Sequence, residues 1–387
     1  MSVVLVSGAI ANKHRNGGEA WVRLSWVLGL QRLGCDVFFV EQIDPGTCVD
    51  GEGRPSSFRD STNRAYFEAV MERFGLRDRS SLLYDGGREA SGIDLERLLE
   101  VADSAALLVN ISGHLTLEPV TRRVGRKAYI DLDPGFTQIW HASAEAGFTL
   151  GEHDLHFTVG ENIGRTGCSI PTGGIDWIGV PPPVVLSEWP VAAADDRERF
   201  TTIGSWRAGH GTLEHEGRTL GLKVHEFRKV IELPEQAPGS FELALDIHPG
   251  DAADSEALRS HGWRLVDPST VAADPDGFRA YVSGSGAEFS VATGVYVSTG
   301  SGWFSDRTVR YLAAGKPALV QDTGFTSNHP TGEGLVAFTN LDEAVAGAKR
   351  IVSDYESHCR AARALAEEHF DSDRVLRRFL DRVAVTP

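Results

Sequence analysis

Cysteine is scarce in this chain of 387 residues, and its four copies, Cys35, Cys48, Cys168 and Cys359, never form a C-x-x-C pair. That excludes a thiolate zinc site or a disulfide framework as the organising device. It fits a reducing compartment, so a cytoplasmic location is the expectation. No apolar run reaches the roughly 18 residues that a membrane span needs, and Val3 to Val6 is too short for the core of a secretory signal. Positive charge is short as well, with 38 Lys and Arg against 54 Asp and Glu and a net charge of −16. A field of that sign repels phosphate backbones and anionic lipid, so neither nucleic acid nor a membrane is the expected partner, while a local basic pocket remains open. Lysine contributes only six of the cations, an arginine bias that points to a GC-rich coding sequence rather than to chemistry.

What is present is ordinary globular composition, 41% hydrophobic and 24% charged, which rules out a disordered or coiled-coil chain. At roughly 150 residues per domain the length allows two or three domains. Val3 to Val6 reads as a buried strand, Glu19 to Leu33 as a helix with Val22, Trp26, Leu30 and Leu33 on one face, and Asp36 to Val40 as the next strand. This β-loop-α-β opening builds a parallel sheet covered by helices. Ala106 to Ile111, Ala128 to Asp131 and His156 to Gly160 extend it, with a helix at Asp94 to Ala102. The proline-rich Pro181-Pro182-Pro183 and the polar stretch from Ala192 to Arg199 mark a linker, placing a domain boundary near residue 195. The grammar then restarts with strands at Phe200 to Ile203, Phe241 to Asp246, Trp263 to Val266, Val295 to Val297, Ala318 to Val320 and Val336 to Phe338. Leu341 to Val383 reads as mostly helical, and its end, residues 370–387, can cross back to the first domain. The fold class expected is therefore α/β, with two Rossmann-like domains, 1–194 and 195–369, facing across a cleft that holds a phosphorylated ligand.

Three places carry residues suited to that ligand. The loop from Ser7 to Gly18 ends in Gly17-Gly18 at a helix start, where glycine lets a ligand approach the backbone. Nine residues separate Gly8 from Gly17, so the dinucleotide fingerprint is absent and a nicotinamide or flavin site is disfavoured, despite Glu41 at the end of strand two. Arg207 and Lys223, on loops at one edge of the second domain, can neutralise a diphosphate leaving group. The densest signal is Ser301-Gly302-Trp303-Phe304-Ser305-Asp306-Arg307-Thr308. Ser305 is a plausible N-cap there, and Arg307 and Thr308 occupy the first turn of a helix stopped by Gly315 and Pro317. Trp303 and Phe304 belong either to a donor site or to the sheet-covering core.

On these residues the chain resembles the nucleotide-sugar glycosyltransferases of the GT-B fold. It is most similar to a bacterial glycosyltransferase-like subgroup with stretches such as Ala287-Glu288-Phe289-Ser290, Gly302 to Arg307 and Pro330-Thr331-Gly332-Glu333-Gly334. The resemblance implies a hexosyltransferase-like enzyme with no bound cofactor and a nucleoside-diphosphate sugar as co-substrate, and no required metal is expected. Its acceptor is expected to be a small molecule, with a natural product as one context. Gly17, Gly18, Arg207 and Lys223 would hold the donor, and backbone amides from Gly302 through Thr308 would complete the grip. The family's glutamate pair, spaced E-x7-E, is replaced by Gly302 and Arg310, so Asp306 or Glu288 is the expected ribose carboxylate.

A sugar hydroxyl is a weak nucleophile until its proton is taken. His114, after a strand of the first sheet, is the candidate base or acceptor contact, with Asp131 and Asp133 to orient or deprotonate the acceptor and His14 and Asn16 to touch it. Asp131-Leu132-Asp133 matches the D-x-D of metal-dependent transferases, but so does Asp274-Pro275-Asp276, and two carboxylates do not complete an oxygen shell. Two alternatives accompany the transferase reading: a nucleotide-sugar epimerase, and a nucleotide-sugar-binding protein without turnover.

Overall fold

The computed structural model describes residues 1–143, 150–207 and 209–387. Within it, two sheets follow one another along the chain. The first contains β1 (Val3–Ser7), β2 (Asp36–Ile43), β3 (Ser80–Tyr84), β4 (Glu89–Gly92), β5 (Ala105–Ile111), β6 (Lys127–Asp131), β7 (Leu155–Thr158) and β8 (Trp177–Gly179). They lie in the order β4-β3-β2-β1-β5-β6-β7-β8. All neighbours are parallel except β3 and β4. The second half holds β9 (Arg199–Ser205), a separate hairpin of β10 (Leu213–His215) and β11 (Arg218–Leu220), then β12 (Ser240–Asp246), β13 (Arg264–Val266), β14 (Ala287–Ser290), β15 (Ala318–Gln321) and β16 (Leu335–Phe338). Its six-stranded sheet is entirely parallel and runs β13-β12-β9-β14-β15-β16.

Both sheets start in the middle, run to one edge and return on the other side of their first strand. Loops leaving the strand ends diverge at such a switch point and leave a crevice, here between β1 and β5 and between β9 and β14. The doubly wound α/β pattern of the sequence is thus realised twice. One predicted strand is wrong: Val295 to Val297 lies inside a helix, Gly294–Thr299, and the sheet position belongs to Ala287–Ser290. The β-branched residues favour a strand locally, but Val295 and Tyr296 pack as a helical face against Phe136 and Ile139, and tertiary context overrides propensity. The first helix starts earlier than its apolar pattern, at Gly17, because the Asn16 side chain accepts the Glu19 N–H at 3.1 Å and caps it.

The two halves touch on both sides of the crevice. On one side Gly17 donates its N–H to the Ala272 carbonyl at 2.8 Å, and the Trp21 indole donates to the Pro275 carbonyl at 2.8 Å. A Cβ on Gly17 would stand 2.0 Å from the Asp274 carbonyl oxygen, so only glycine permits this approach. On the other side the Asn162 amide donates to the carbonyls of Gly300 and Gly324 at 3.1 and 3.0 Å, and Gly160 bridges Trp303. The last helix, Ser372–Arg382, packs on the first: Phe379 lies 5.1 Å from Trp26, and Asp373 accepts two bonds from Arg32 at 3.0 Å. Gly17→Ala must push the two halves apart, at a cost of about 1–3 kcal/mol for an overpacked contact. Urea unfolding should show a lower midpoint, and an unchanged midpoint would refute the contact's importance.

Candidate active site between the two sheets

A cavity of about 700 Å³ lies between the loop after β1 and the carboxyl ends of β9, β12 and β13. The first-sheet wall is made by residues from Lys13 to Val22, and the second-sheet wall includes Ile203 to Ser205, Lys223, Asp246, Asp267, Asp306 and Arg307.

The first-sheet wall is shaped by a residue that the sequence pattern left without a role. Glu41, fully buried near the end of β2, accepts the backbone N–H groups of Ile10, Ala11 and Asn12, each at 2.8 Å, and the Asn12 side-chain amide at 3.0 Å. Burial pushes its carboxyl up to about 7, against the pull of those donors. The carboxylate thus consumes the amides of the turn and presents Lys13, His14 and Arg15 to the cavity. His14 is tied by Nδ1 to the Asn63 amide at 3.1 Å, and burial lowers its pKa. Asn16 and Gly18 also line the cavity, although the Asn16 carbonyl oxygen is spent on its cap. Gly17 is not on the wall and serves the contact between halves.

On the second-sheet wall, Lys223 begins a helix and Arg307 stands in the first turn of Asp306–Ala313. The two meet beside Gly204 at the end of β9, where a Cβ would lie 3.5 Å from Lys223 Nζ and 3.6 Å from Arg307 Nη1. Arg307 is fixed by three bonds, to Glu288 Oε1 at 2.7 Å, to the Ile203 carbonyl at 2.7 Å and to the Ser290 hydroxyl at 2.5 Å. Lys223 is mostly enclosed, and loss of hydration with Arg307 nearby pushes its ammonium down to about 7, with Asp306 acting in the opposite direction.

Several predicted donor residues are placed otherwise. Arg207 is exposed and grips Asp251 with two nitrogens outside the cavity lining, so it belongs to an ion pair and not to an anion site. Glu288 lies in the sheet behind Arg307 and orients it, out of reach of a ribose. The amides of the Gly302 to Thr308 segment are already used: Gly302 donates to the Thr323 carbonyl at 2.8 Å, Trp303 to the Ser301 hydroxyl at 3.1 Å, and Arg307 to the Ser305 cap at 3.2 Å. Gly302 holds φ of 71° against Asn162, a left-handed conformation suited to glycine, and seals the halves together. Trp303 stacks on Tyr296 at 4.7 Å and Phe304 on Phe370 at 5.0 Å, the core alternative for both aromatics. Thr308 is buried and off the cavity wall. Asp306 does line the cavity, paired with Arg310.

The predicted acceptor residues separate in the same way. Asp131 is fully buried and accepts from Thr137 at 2.6 Å, Gln138 at 2.8 Å, Thr158 at 2.7 Å and the Asp133 N–H at 3.0 Å, and burial raises its pKa. It therefore shapes the loop after β6 and is closed to an acceptor. Asp133 is partly exposed, with the Tyr296 hydroxyl at 3.4 Å and His210 Nε2 at 3.9 Å. His210 comes from the second half, packs on Phe136 at 4.8 Å, and carried no signal in the sequence. His114 is partly buried, and desolvation together with Arg23 and Lys13 pushes its pKa down to about 4, with Asp133 opposing. It is a neutral imidazole near pH 7 and a weak proton acceptor. Neither D-x-D match offers two free carboxylates: Asp131 is buried in its own hydrogen bonds, Asp274 caps a helix and Asp276 binds Arg73 and Arg279.

No protein-family model matches the chain, and no curated protein matches it in sequence. Solved structures do superpose along nearly its whole length. An α-glucosyltransferase in complex with UDP and a 13-mer DNA aligns with a TM-score of 0.61 at 12% identity, over 99% of this chain and 100% of that one. The fold is GT-B. Anabaena HepE in complex with UDP-glucose gives 0.60 at 10% identity, covering 99% of this chain and 100% of HepE. Sucrose-phosphate synthase from Thermosynechococcus elongatus gives 0.57 at 12%, over 99% and 98%. Where the GT-B resemblance expects a glutamate pair, this chain has Gly302 in the seal between halves and buried Arg310 holding Asp306. Glu288→Gln would leave Arg307 without its compensating charge in the GT-B core and should cost about 3–5 kcal/mol, the scale for breaking one side of a buried pair. Denaturant titration checks this, and a loss under 1 kcal/mol would mean that the pair is dispensable.

Proposed function

We propose that the protein transfers a sugar from a nucleoside-diphosphate sugar to a small-molecule acceptor within the cavity. The observation that carries this reading is the convergence of Lys223 and Arg307 beside Gly204, at the mouth of the second sheet's switch point. In the transfer, the bond between the anomeric carbon and the diphosphate oxygen breaks, and its electron pair leaves with the nucleoside diphosphate. An acceptor oxygen bonds to that carbon and gives up its proton. Negative charge grows on the leaving oxygen, where Arg307, already held in place, and the charged form of Lys223 stabilise it. UDP and UDP-glucose bound to fold neighbours support a diphosphate ligand. The net charge of −16 favours a small acceptor over a polynucleotide, although one neighbour was captured with DNA.

Other roles follow from which carboxylates are free. Asp246 ends β12 on the cavity wall and, among the described residues, its carboxylate has no ion-pair or hydrogen-bond partner. It is the residue we assign to the donor's ribose or sugar hydroxyls, in place of Glu288. Asp133, partly exposed on the loop after β6 and outside the lining of this cavity, is the carboxylate we assign to take the acceptor's proton, with neutral His114 in its field.

Thermal-shift titration of UDP and UDP-glucose tests the reading, since a ligand of the folded state raises Tm. Wild type should be stabilised, and Lys223→Met should lose most of the shift. The cationic form of Lys223 binds the anion, and that form is depleted above about 7. Affinity for UDP should therefore fall by about tenfold per pH unit above that point, and Lys223→Met should flatten the profile. Absence of a shift with any nucleotide or nucleotide sugar would defeat the proposal.

A further inference from the structure

The two walls of the cavity carry separate sets of cations. Lys223 and Arg307 meet on one wall, beside Gly204. Lys13 and Arg15 stand on the opposite wall, on the turn pinned by Glu41, and line the same space. In this acidic chain a cation usually has a carboxylate against it, as Arg23, Arg73, Arg207, Arg279 and Arg310 do. Among the described residues, neither Lys13 nor Arg15 has a carboxylate within ion-pair distance, and the Arg15 guanidinium meets only the Gly51 carbonyl, at 3.5 Å.

The carboxylates of the cavity do not supply the missing charge. Glu19 is held by Arg23 and Asp306 by Arg310. Asp246 ends β12, on the wall of Lys223. Asp267 accepts the Ser269 N–H at 2.8 Å as a helix cap and feels Arg15 across a gap. Arg15 is also held at φ of 59°, a left-handed conformation unfavourable for a residue with a long side chain. The loop therefore sustains local strain at a cavity-lining cation. The positive field of this wall reaches inward, where Lys13 and Arg23 both depress the pKa of His114.

We propose that the acceptor carries its own anionic group, a phosphate or a carboxylate, and that Lys13 and Arg15 receive it. The inference rests on the sugar-transfer reading, which assigns the opposite wall to the donor diphosphate. A guanidinium with a mobile ammonium two residues away suits such a group, since the planar fork binds two oxygens and the ammonium adds a point charge. An anion held there places the acceptor's hydroxyls toward the donor wall, and a neutral analogue leaves both cations unmatched.

The test uses the full chain saturated with UDP and inorganic phosphate as probe, with glucose 6-phosphate and glucose as the charged and neutral sugar pair. In the UDP complex of wild type, phosphate and glucose 6-phosphate should add to the thermal shift and glucose should not. The double variant Lys13→Gln/Arg15→Gln should weaken phosphate binding at least tenfold while keeping the UDP shift. Both side chains are exposed, and a urea midpoint equal to that of wild type would confirm that the variant folds. The inference is overturned if phosphate adds nothing to wild type, if the double variant binds it equally well, or if the variant loses the UDP shift, since the cations would then serve the donor. A preference for UDP-glucuronate over UDP-glucose that vanishes in the double variant would place the anion on the transferred sugar and also overturn it. Failure of UDP itself to bind wild type defeats the transfer reading instead, so the two failures remain distinct.

Discussion

Gly17 and the Asp274 carbonyl are so close that no side chain fits between them, and the geometry of the cavity depends on that contact. With the first helix held at its N-terminus against residues 272–278, the loop after β1 cannot swing away from the carboxyl ends of β9 and β12. The Asn162 amide, donating to two carbonyls of the second half, fixes the opposite side of the crevice. The two switch points are thereby held face to face. Apolar packing reinforces this arrangement, since one buried cluster runs from Val4 and Val6 through Trp21 and Trp189 to Phe278 and Tyr311. A boundary that is apolar at its centre and hydrogen-bonded at its edges resists local opening better than a polar one.

Three buried carboxylates serve as internal scaffolding. Glu41 collects the amides of the first loop, Asp131 two threonine hydroxyls with the Gln138 amide and the Asp133 N–H, and Glu288 the guanidinium of Arg307. Each costs desolvation, and each recovers it by accepting several hydrogen bonds or a full opposite charge. These three stay off the cavity wall, and of the acidic residues that do line it Glu19 and Asp306 are paired with Arg23 and Arg310. A site that attracts anions can therefore exist within a protein of net charge −16.

The doubly wound architecture was legible because parallel strands covered on both faces read as unbroken apolar runs, such as Val3 to Val6 and Ala106 to Val109. The strand at Ala287–Ser290 was missed because Glu288 and Ser290 interrupt the apolar run, and both are there to hold Arg307. Lys223, Arg307 and most of the first loop's end line the cavity because residues at strand ends and helix starts reach a crevice by topology alone. Arg207 has the same position relative to its strand, yet its partner Asp251 lies 44 residues away and nothing in the local pattern marks it. The same limit hid Glu41 as a loop organiser. A buried carboxylate's role is set by donors from another segment, which periodicity does not report. The Gly302 to Phe304 stretch was dense in signal for a different reason: a seal between two domains needs small and aromatic residues at fixed positions, as a ligand loop does.

In the proposed donor site, Arg307 and Lys223 would divide the work between a compensated and an uncompensated charge. With Glu288 against it, Arg307 can remain charged in the interior at little net cost, and its orientation is fixed before any ligand arrives. Lys223 has no carboxylate within ion-pair distance among the described residues, and burial, with Arg307 nearby, depresses its pKa against the weaker pull of Asp306. A permanent acidic partner would counter that shift, but it would also occupy the place beside Gly204 where the two cations meet. In the donor reading proposed above, the diphosphate would supply the negative charge that Lys223 lacks.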